Sequence, residues 1–114
     1  MSKQRYINTK FWNDSYISAL DPVEKLMFIY FLTNEHTNLC GIYELPLKVI
    51  AVETGIDKEM IMKIMGRLKS KIYYIDGWVY IKNFIKHQSN SSEMVKKAID
   101  NGLNEVPQEI KDKI

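Results

Sequence analysis

The chain has 114 residues, is 46% hydrophobic and 26% charged, and carries a formal net charge of +2. These values indicate one soluble globular domain of ordinary size. A lone cysteine, Cys40, excludes an internal disulfide and indicates a reducing compartment, and we expect neither a signal peptide nor a membrane span because no long apolar run is present.

Residues 1–20 are predicted to form an N-terminal arm that carries large apolar side chains. An arm this hydrophobic should pack against the rest of the chain. Phe11 and Trp12 are therefore predicted to be core or interface anchors, with a base-stacking platform as the alternative. Residues 13–15 indicate a turn or cap, followed by a short helix through residues 16–20.

A strong helix signal follows at residues 22–33. Asp21 is predicted to cap it, Pro22 to occupy its first position, and Glu24 to complete a capping box. Residues 26–32 are apolar on every side, so the face turned away from the core needs a cover, which is either the arm or a second copy of the chain. We therefore expect a homodimer or higher oligomer. The residues of this helix assigned to the interface are Met27, Tyr30 and Phe31.

The stretch that organises the chain is residues 46–82. Its first helical pattern ends at Thr54-Gly55, because glycine readily takes the left-handed conformation that ends a helix. Asp57 is predicted to cap a second helix over residues 58–70. The short turn with its glycine is typical of a helix-turn-helix. The apolar stripe predicted to face inward on the second helix is Ile61, Ile64, Met65 and Leu68.

Two β-rich runs, residues 72–75 and 78–81, are joined by Asp76-Gly77, which is the strongest short hairpin signal. A short strand at residues 41–45 is expected to pair with this hairpin. One face of the hairpin is assigned by alternation, although both runs are apolar enough to be covered on two sides. The residues of that face are Ile72, Tyr74, Val79 and Ile81.

These elements predict a mostly helical α+β fold, a winged helix-turn-helix with an N-terminal arm and an extra C-terminal helix. The expected parts are the arm (1–20), the winged-helix domain (21–88) and a C-terminal helical extension (89–114). In the extension, residues 93–101 are predicted to be helical, and Gly102 to end or bend that helix.

Basic residues are concentrated in the second half of this arrangement. Residues 58–87 contain seven basic and two acidic side chains, a net charge of +5, whereas the rest of the chain carries −3. This pattern can serve nucleic-acid phosphates, and a solvated helix face produces similar clusters. The residues predicted to contact the DNA backbone are Lys58, Lys63, Arg67, Lys69, Lys71, Lys82 and Lys86.

The outward face of the second helix is a poor reader of base sequence. Lys63 and Arg67 can meet phosphates or a guanine edge, but Met62 and Gly66 read no base, and Glu59 would repel phosphate. Met-rich surfaces suit adaptable protein contacts. Met62 and Gly66 are therefore predicted to lie on a protein interface, where a helical glycine would allow close approach.

No constellation typical of an enzyme, a metal site or a cofactor site appears. His36 and Cys40 are close in sequence, but no second pair of ligands supports a zinc site, so a loop histidine and a small buried cysteine are expected. The chain also lacks a glycine-rich phosphate-binding loop. We expect a protein that is not an enzyme and needs no cofactor.

Three segments stand in order along the chain: ALDPVEKL at residues 19–26, GIYEL at 41–45 and KNFIKHQ at 82–88. With the sequence around them, from residue 5 to about residue 107, they resemble the N-terminal domain of phage replisome organisers, replication initiation proteins related to the DnaD-like primosomal family. The resemblance implies a winged-helix fold, self-association, a role in starting phage DNA replication, and a location in the bacterial host cytoplasm.

Three functions follow as expectations. The first is a replication initiation module that binds double-stranded DNA without sequence preference, self-associates, or does both. The second is a protein-interaction module that binds a host replication protein such as the helicase loader and modulates or inhibits it. The third is a winged-helix transcriptional regulator, since fold alone does not decide between these functions.

Overall fold

The computed structural model describes residues 4–84 and 93–114 and confirms a mostly helical α+β fold with a small antiparallel sheet. The elements in chain order are a 3-10 helix at Thr9–Asn13, α1 at Ser15–Ser18, α2 at Pro22–Thr33, β1 at Ile42–Glu44, α3 at Leu47–Thr54, α4 at Lys58–Leu68, β2 at Ile72–Ile75, β3 at Trp78–Ile81, α5 at Glu93–Glu105 and α6 at Gln108–Lys111.

The helix ends follow the capping chemistry expected from the sequence. The Asp21 backbone N–H donates to the Glu24 carboxylate at 2.8 Å, which is one half of the capping box that begins α2. Gly55 has a φ of 75°, the left-handed conformation that ends α3. Asp57 then accepts a hydrogen bond from the Met60 N–H at 2.9 Å and so caps α4.

The three strands are ordered β1-β3-β2, with both pairs antiparallel. This confirms that the strand after α2 pairs with the hairpin. Asp76 and Gly77 both have positive φ, 49° and 82°, as the two central residues of a type I′ turn require. Such a turn matches the right-handed twist of the two strands it joins, and the local sequence therefore sets the hairpin register.

The main core lies between α2, α4 and one face of the sheet. Met27 and Phe31 of α2 have no exposed surface, and the α4 stripe is buried as predicted. Burying an apolar side chain of this size stabilises the fold by about 1.5–3 kcal/mol. The side chains that line the inner face of the sheet, all part of this cluster, are Tyr43, Ile72, Tyr74, Val79 and Ile81.

The interface predicted for α2 is wrong for Met27 and Phe31, because both are 0% exposed in the chain's own core. The other side of α2 is covered by the arm. The rings of Phe11 and Tyr16 lie 5.8 and 6.1 Å from the ring of Phe28. The arm is thus one cover of this helix, and Leu26, also on α2, stays 52% exposed.

The C-terminal helices cover the outer face of the sheet. Val106 and Ile110 form a second buried cluster with Cys40 and Ile42. Gly102 does not end α5, which continues to Glu105. A Cβ atom at Gly102 would lie 3.0 Å from the Cys40 Sγ, so the glycine permits this close packing. None of the helices in the described residues has the length and hydrophobicity needed to cross a bilayer.

Candidate nucleic-acid interface

One face of α4 is open to solvent along its whole length. Glu59, Met62, Lys63, Gly66 and Arg67 are all exposed, as the sequence predicted. The face is therefore available to a partner. It carries two cations, one acid, a methionine and a glycine, and no asparagine or glutamine that could pair with adenine. Its chemistry suits phosphate or protein contacts better than base readout.

Three predicted DNA-binding lysines meet where α4 ends and the hairpin begins. Lys69 is the C-cap residue of α4. Lys71 precedes β2 and Lys82 follows β3, and the Lys82 N–H donates to the Lys71 carbonyl at 2.9 Å. None of the three forms an ion pair with another residue in the described ranges. The fold thus places three uncompensated positive charges at the open end of the hairpin.

The opposite end of α4 has a different electrostatic character. Lys58 stands between Asp57 and Glu59, and all three are exposed. With a rise of 1.5 Å per residue, Lys58 lies roughly 16 Å from Lys69 along the helix. The basic set is therefore divided, and its positive potential lies at the C-terminal end of α4. Lys86, also predicted to bind DNA, lies outside the described residues.

Arg67 has a structural partner that the sequence did not reveal. Its Nε lies 2.7 Å from the Oε2 of Glu24, whose side chain is only 4% exposed. The Tyr16 hydroxyl donates to the Arg67 carbonyl at 3.4 Å. Both contacts join the C-terminal end of α4 to elements far away in sequence. Arg67 therefore neutralises a buried carboxylate, whereas Lys63 on the same face forms no ion pair with any residue that the structure describes.

Two of the lysines lie over aromatic rings. The Lys82 Nζ is 4.8 Å from the centre of the Tyr73 ring, and the Lys71 Nζ is 5.5 Å from that of Tyr16. Tyr73 in turn stacks on Tyr80, with ring centres 5.9 Å apart. Cation–π contacts of this kind restrict the lysine side chains, and they hold the Lys82 charge close to the sheet and the Lys71 charge close to α1.

The tip of the hairpin is occupied by an ion pair and not by free positive charge among the described residues. Asp76, its first turn residue, forms an ion pair with Lys113 beyond α6. This hydrogen bond to Asp76 raises the pKa of Lys113. The sequence indicated that a two-residue turn is too short for a basic tip, and in the structure the one lysine at the tip is paired with the Asp76 carboxylate. Contacts to phosphate are therefore favoured at the base of the hairpin.

The remaining predicted interface residues differ in how open they are. Trp12 is 59% exposed and Met62 is 50% exposed. A Cβ atom at Gly66 would meet nothing within 4 Å, so none of the described residues outside its own helix approaches that glycine closely. Phe11 is half-buried between arm and α2, as an anchor. The half-buried Tyr30 donates its hydroxyl proton to Glu53 at 2.6 Å.

The Tyr30–Glu53 contact also includes His36. The His36 Nε2 lies 3.3 Å from the second oxygen of Glu53. The hydrogen bond from Tyr30, followed by the histidine contact, lowers the pKa of Glu53. His36 therefore contacts a carboxylate on α3, and within the described residues no three His, Cys, Asp or Glu side chains are grouped as a metal ion would need.

Arg5 is a further residue whose role the sequence did not indicate. Its Nε donates to the Thr37 hydroxyl and its Nη2 to the Thr37 carbonyl, both at 2.8 Å. Partial burial lowers the pKa of Arg5. This bidentate contact ties the arm to the loop after α2. The Arg5 guanidinium is thus engaged in contacts within the chain. Among the described residues of the arm, Lys10 is the cation that forms no ion pair.

Comparison of the chain with known proteins finds no relative. The chain matches no family model, no curated protein and no solved structure.

Proposed function

We propose that the chain is a winged-helix module of phage replication initiation that binds the backbone of double-stranded DNA without sequence preference. The element order supports the fold part of this proposal. Helices α3 and α4 are joined by three residues, a hairpin follows α4, and β1 pairs with β3 in a β1-β3-β2 sheet. This is the arrangement expected of a winged helix-turn-helix.

The observation that carries the DNA part is the group of lysines at the C-terminal end of α4. Lys69, Lys71 and Lys82 have no acidic partner within the described residues, and Lys63 lies on the open face that leads to them. A row of ammonium groups attracts phosphates of any sequence. The mixed charges around Lys58 and the absence of adenine-pairing side chains make a sequence-specific regulator a weaker candidate.

Fluorescence anisotropy with a labelled DNA duplex tests this proposal. The wild type is expected to bind at about 50 mM salt and to lose affinity steeply as salt is raised, because counterions compete for the phosphates. The charge reversals Lys63→Glu and Lys69→Glu should each weaken binding. Lys97→Glu, on the exposed side of α5, is the matched control and should not. Absence of wild-type binding at low salt would refute the proposal.

A protein partner is the second candidate function, favoured by the exposed Met62 beside the open surface at Gly66. A flexible thioether next to a bare stretch of helix backbone allows a partner to approach α4 closely. The partner is either a second copy of this chain or a host replication protein such as the helicase loader.

Solution mass, measured alone and with a purified helicase loader, tests this second candidate. Met62→Glu should dissociate either complex, because a buried uncompensated charge is costly. Lys97→Glu again serves as the control. A mass of one chain, both alone and with the loader present, would refute a role for Met62 and Gly66 in binding a partner.

A further inference from the structure

A cavity of about 290 Å³ opens between the N-terminal arm, α1, α2 and the end of β3. Three of its lining side chains, Ile17, Leu32 and Ile81, are buried. Phe11 and Phe28 form a further part of the lining. The volume lies near the lower limit of pockets that hold small organic ligands. The cavity can therefore accept one chemical group of modest size.

The charges around the cavity favour an anionic ligand. Lys10, Lys71 and Lys82 line it, and Asp14 is the single acidic residue among the lining. The Asp14 carboxylate is already engaged, because it accepts hydrogen bonds from the N–H groups of Tyr16 and Ile17 and caps α1. None of the three lysines is in an ion pair within the described part of the chain. The rim thus carries an excess of positive charge.

Aromatic rings line the same opening. Tyr16 carries the Lys71 ammonium group 5.5 Å from its ring centre, so a ring and a cation share one wall. Tyr6 also lines the cavity and is 71% exposed. Tyr16 is half-buried, so Tyr6 is the more exposed of the two rings. Aromatic rings near lysines are the combination on which unpaired nucleic-acid bases stack while their phosphates are held.

We propose that this cavity binds an unpaired base of single-stranded DNA, with the neighbouring phosphates held by Lys10 and Lys71. The proposal rests on the proposed function, and it adds a second mode of DNA binding at a site beside the α4 face. The bases of an intact duplex are stacked and paired, and cannot enter a cavity without being extruded. A single strand presents its bases at lower cost. The arm, α1 and the start of β2 together thereby form a site for single strands.

The test compares two labelled DNA molecules on the same set of variants. One is a single-stranded oligothymidylate of about 12 nucleotides, which is within the site sizes of known single-strand binders, and the other is a duplex of equal length. Lys10→Glu and Tyr6→Ala alter the cavity only. Lys63→Glu alters the open face of α4, and Lys97→Glu is the remote control. Circular dichroism of each variant confirms that it is folded.

Lys10→Glu and Tyr6→Ala are each expected to weaken oligothymidylate binding about tenfold and to leave duplex binding within about twofold, since stacking and phosphate contacts at the cavity serve the single strand. Lys63→Glu should show the opposite preference. Oligothymidylate binding that neither cavity variant changes would overturn this inference, and so would a wild type that binds the duplex alone. A wild type that does not bind the duplex would refute the proposed function separately.

Discussion

Removal of the Arg67 side chain should destabilise the protein far more than removal of its exposed neighbour Lys63. The Arg67 Nε lies 2.7 Å from Glu24 Oε2, and the other Glu24 oxygen accepts from the Asp21 N–H at 2.8 Å. The carboxylate is 4% exposed and the arginine side chain is 60% exposed. Arg67→Ala therefore leaves a buried negative charge without its cation, whereas Lys63→Ala leaves nothing unpaired in the described structure.

The size of this effect follows from the uneven exposure of the pair. Breaking a fully buried ion pair costs about 3–5 kcal/mol, and breaking an exposed one costs about 0–1 kcal/mol. Because only the Glu24 end is buried, we expect a loss of roughly 1.5–3 kcal/mol in the free energy of unfolding for Arg67→Ala. For a domain of this size the midpoint of thermal unfolding should fall by about 4 °C per kcal/mol, or roughly 6–12 °C. Lys63→Ala should stay within about 0.5 kcal/mol.

Urea and thermal unfolding, followed by circular dichroism, measure both variants. The reasoning is tested by a double-mutant cycle with Glu24→Gln, which keeps an oxygen for the Asp21 N–H but removes the charge. In that background Arg67→Ala should cost less than about 1 kcal/mol, since no carboxylate remains to be compensated. Equal losses for Arg67→Ala in the two backgrounds, or equal losses for the Arg67 and Lys63 variants, would refute the assignment. DNA affinities of Arg67→Ala must be measured well below its own unfolding midpoint.

Two further stability predictions follow from specific contacts. Arg5→Ala should lower the free energy of unfolding by about 1–3 kcal/mol, because two hydrogen bonds from a charged group to the buried Thr37 are lost. Limited proteolysis should then cut the arm faster, and an unchanged cleavage rate would contradict this. Gly66→Ala should stabilise the protein by about 0.5–1 kcal/mol in urea unfolding, because it improves helix propensity in open space. Gly102→Ala should not give this gain, because its Cβ would lie 3.0 Å from the Cys40 Sγ, and equal gains at both glycines would show that the packing argument is wrong.

Local signals in the sequence predicted most of the fold. Each of these signals depends on contacts between residues no more than four positions apart. They are the capping pattern at Asp21 and Glu24, the left-handed Gly55 and the Asp76-Gly77 turn. Such short-range geometry is encoded in residue types and spacing, which is why the boundaries from α1 to β3 agree with the structure to within about two residues. The boundary of α5 does not, because the helix continues four residues past the predicted end at residue 101.

The candidate site was predictable only in part. The sequence identified Lys63 and its exposed face through helical periodicity, and it identified the excess of lysines near the hairpin. It could not show that Arg67 is paired with Glu24, because the two residues are 43 positions apart and meet only when α2 packs on α4. A glutamate at the start of an apolar helix was already explained by capping. Its second role as an ion-pair partner gave no separate signal.

The assignment of Met27 and Phe31 to an interface failed for a related physical reason. Hydrophobicity specifies that a side chain must be covered, but it does not specify by what. In the structure the sheet and α4 enclose these two side chains, while the arm covers Phe28. A helix that is apolar all round is consistent with either outcome until the path of the arm is known.

The sequence by itself thus determined the helices, the hairpin turn, the buried stripe of α4 and the concentration of positive charge, because each depends on residues close together in the chain. Tertiary structure decided which lysines lie together, since strand pairing brings Lys71 and Lys82 side by side and Lys58 is left at the far end of α4. It also created the cavity beneath the arm, whose lining comes from segments as distant as Lys10 and Lys82. Long-range contacts of this kind arise from the packing of distant segments, and no single segment of the sequence contains a pattern that predicts them.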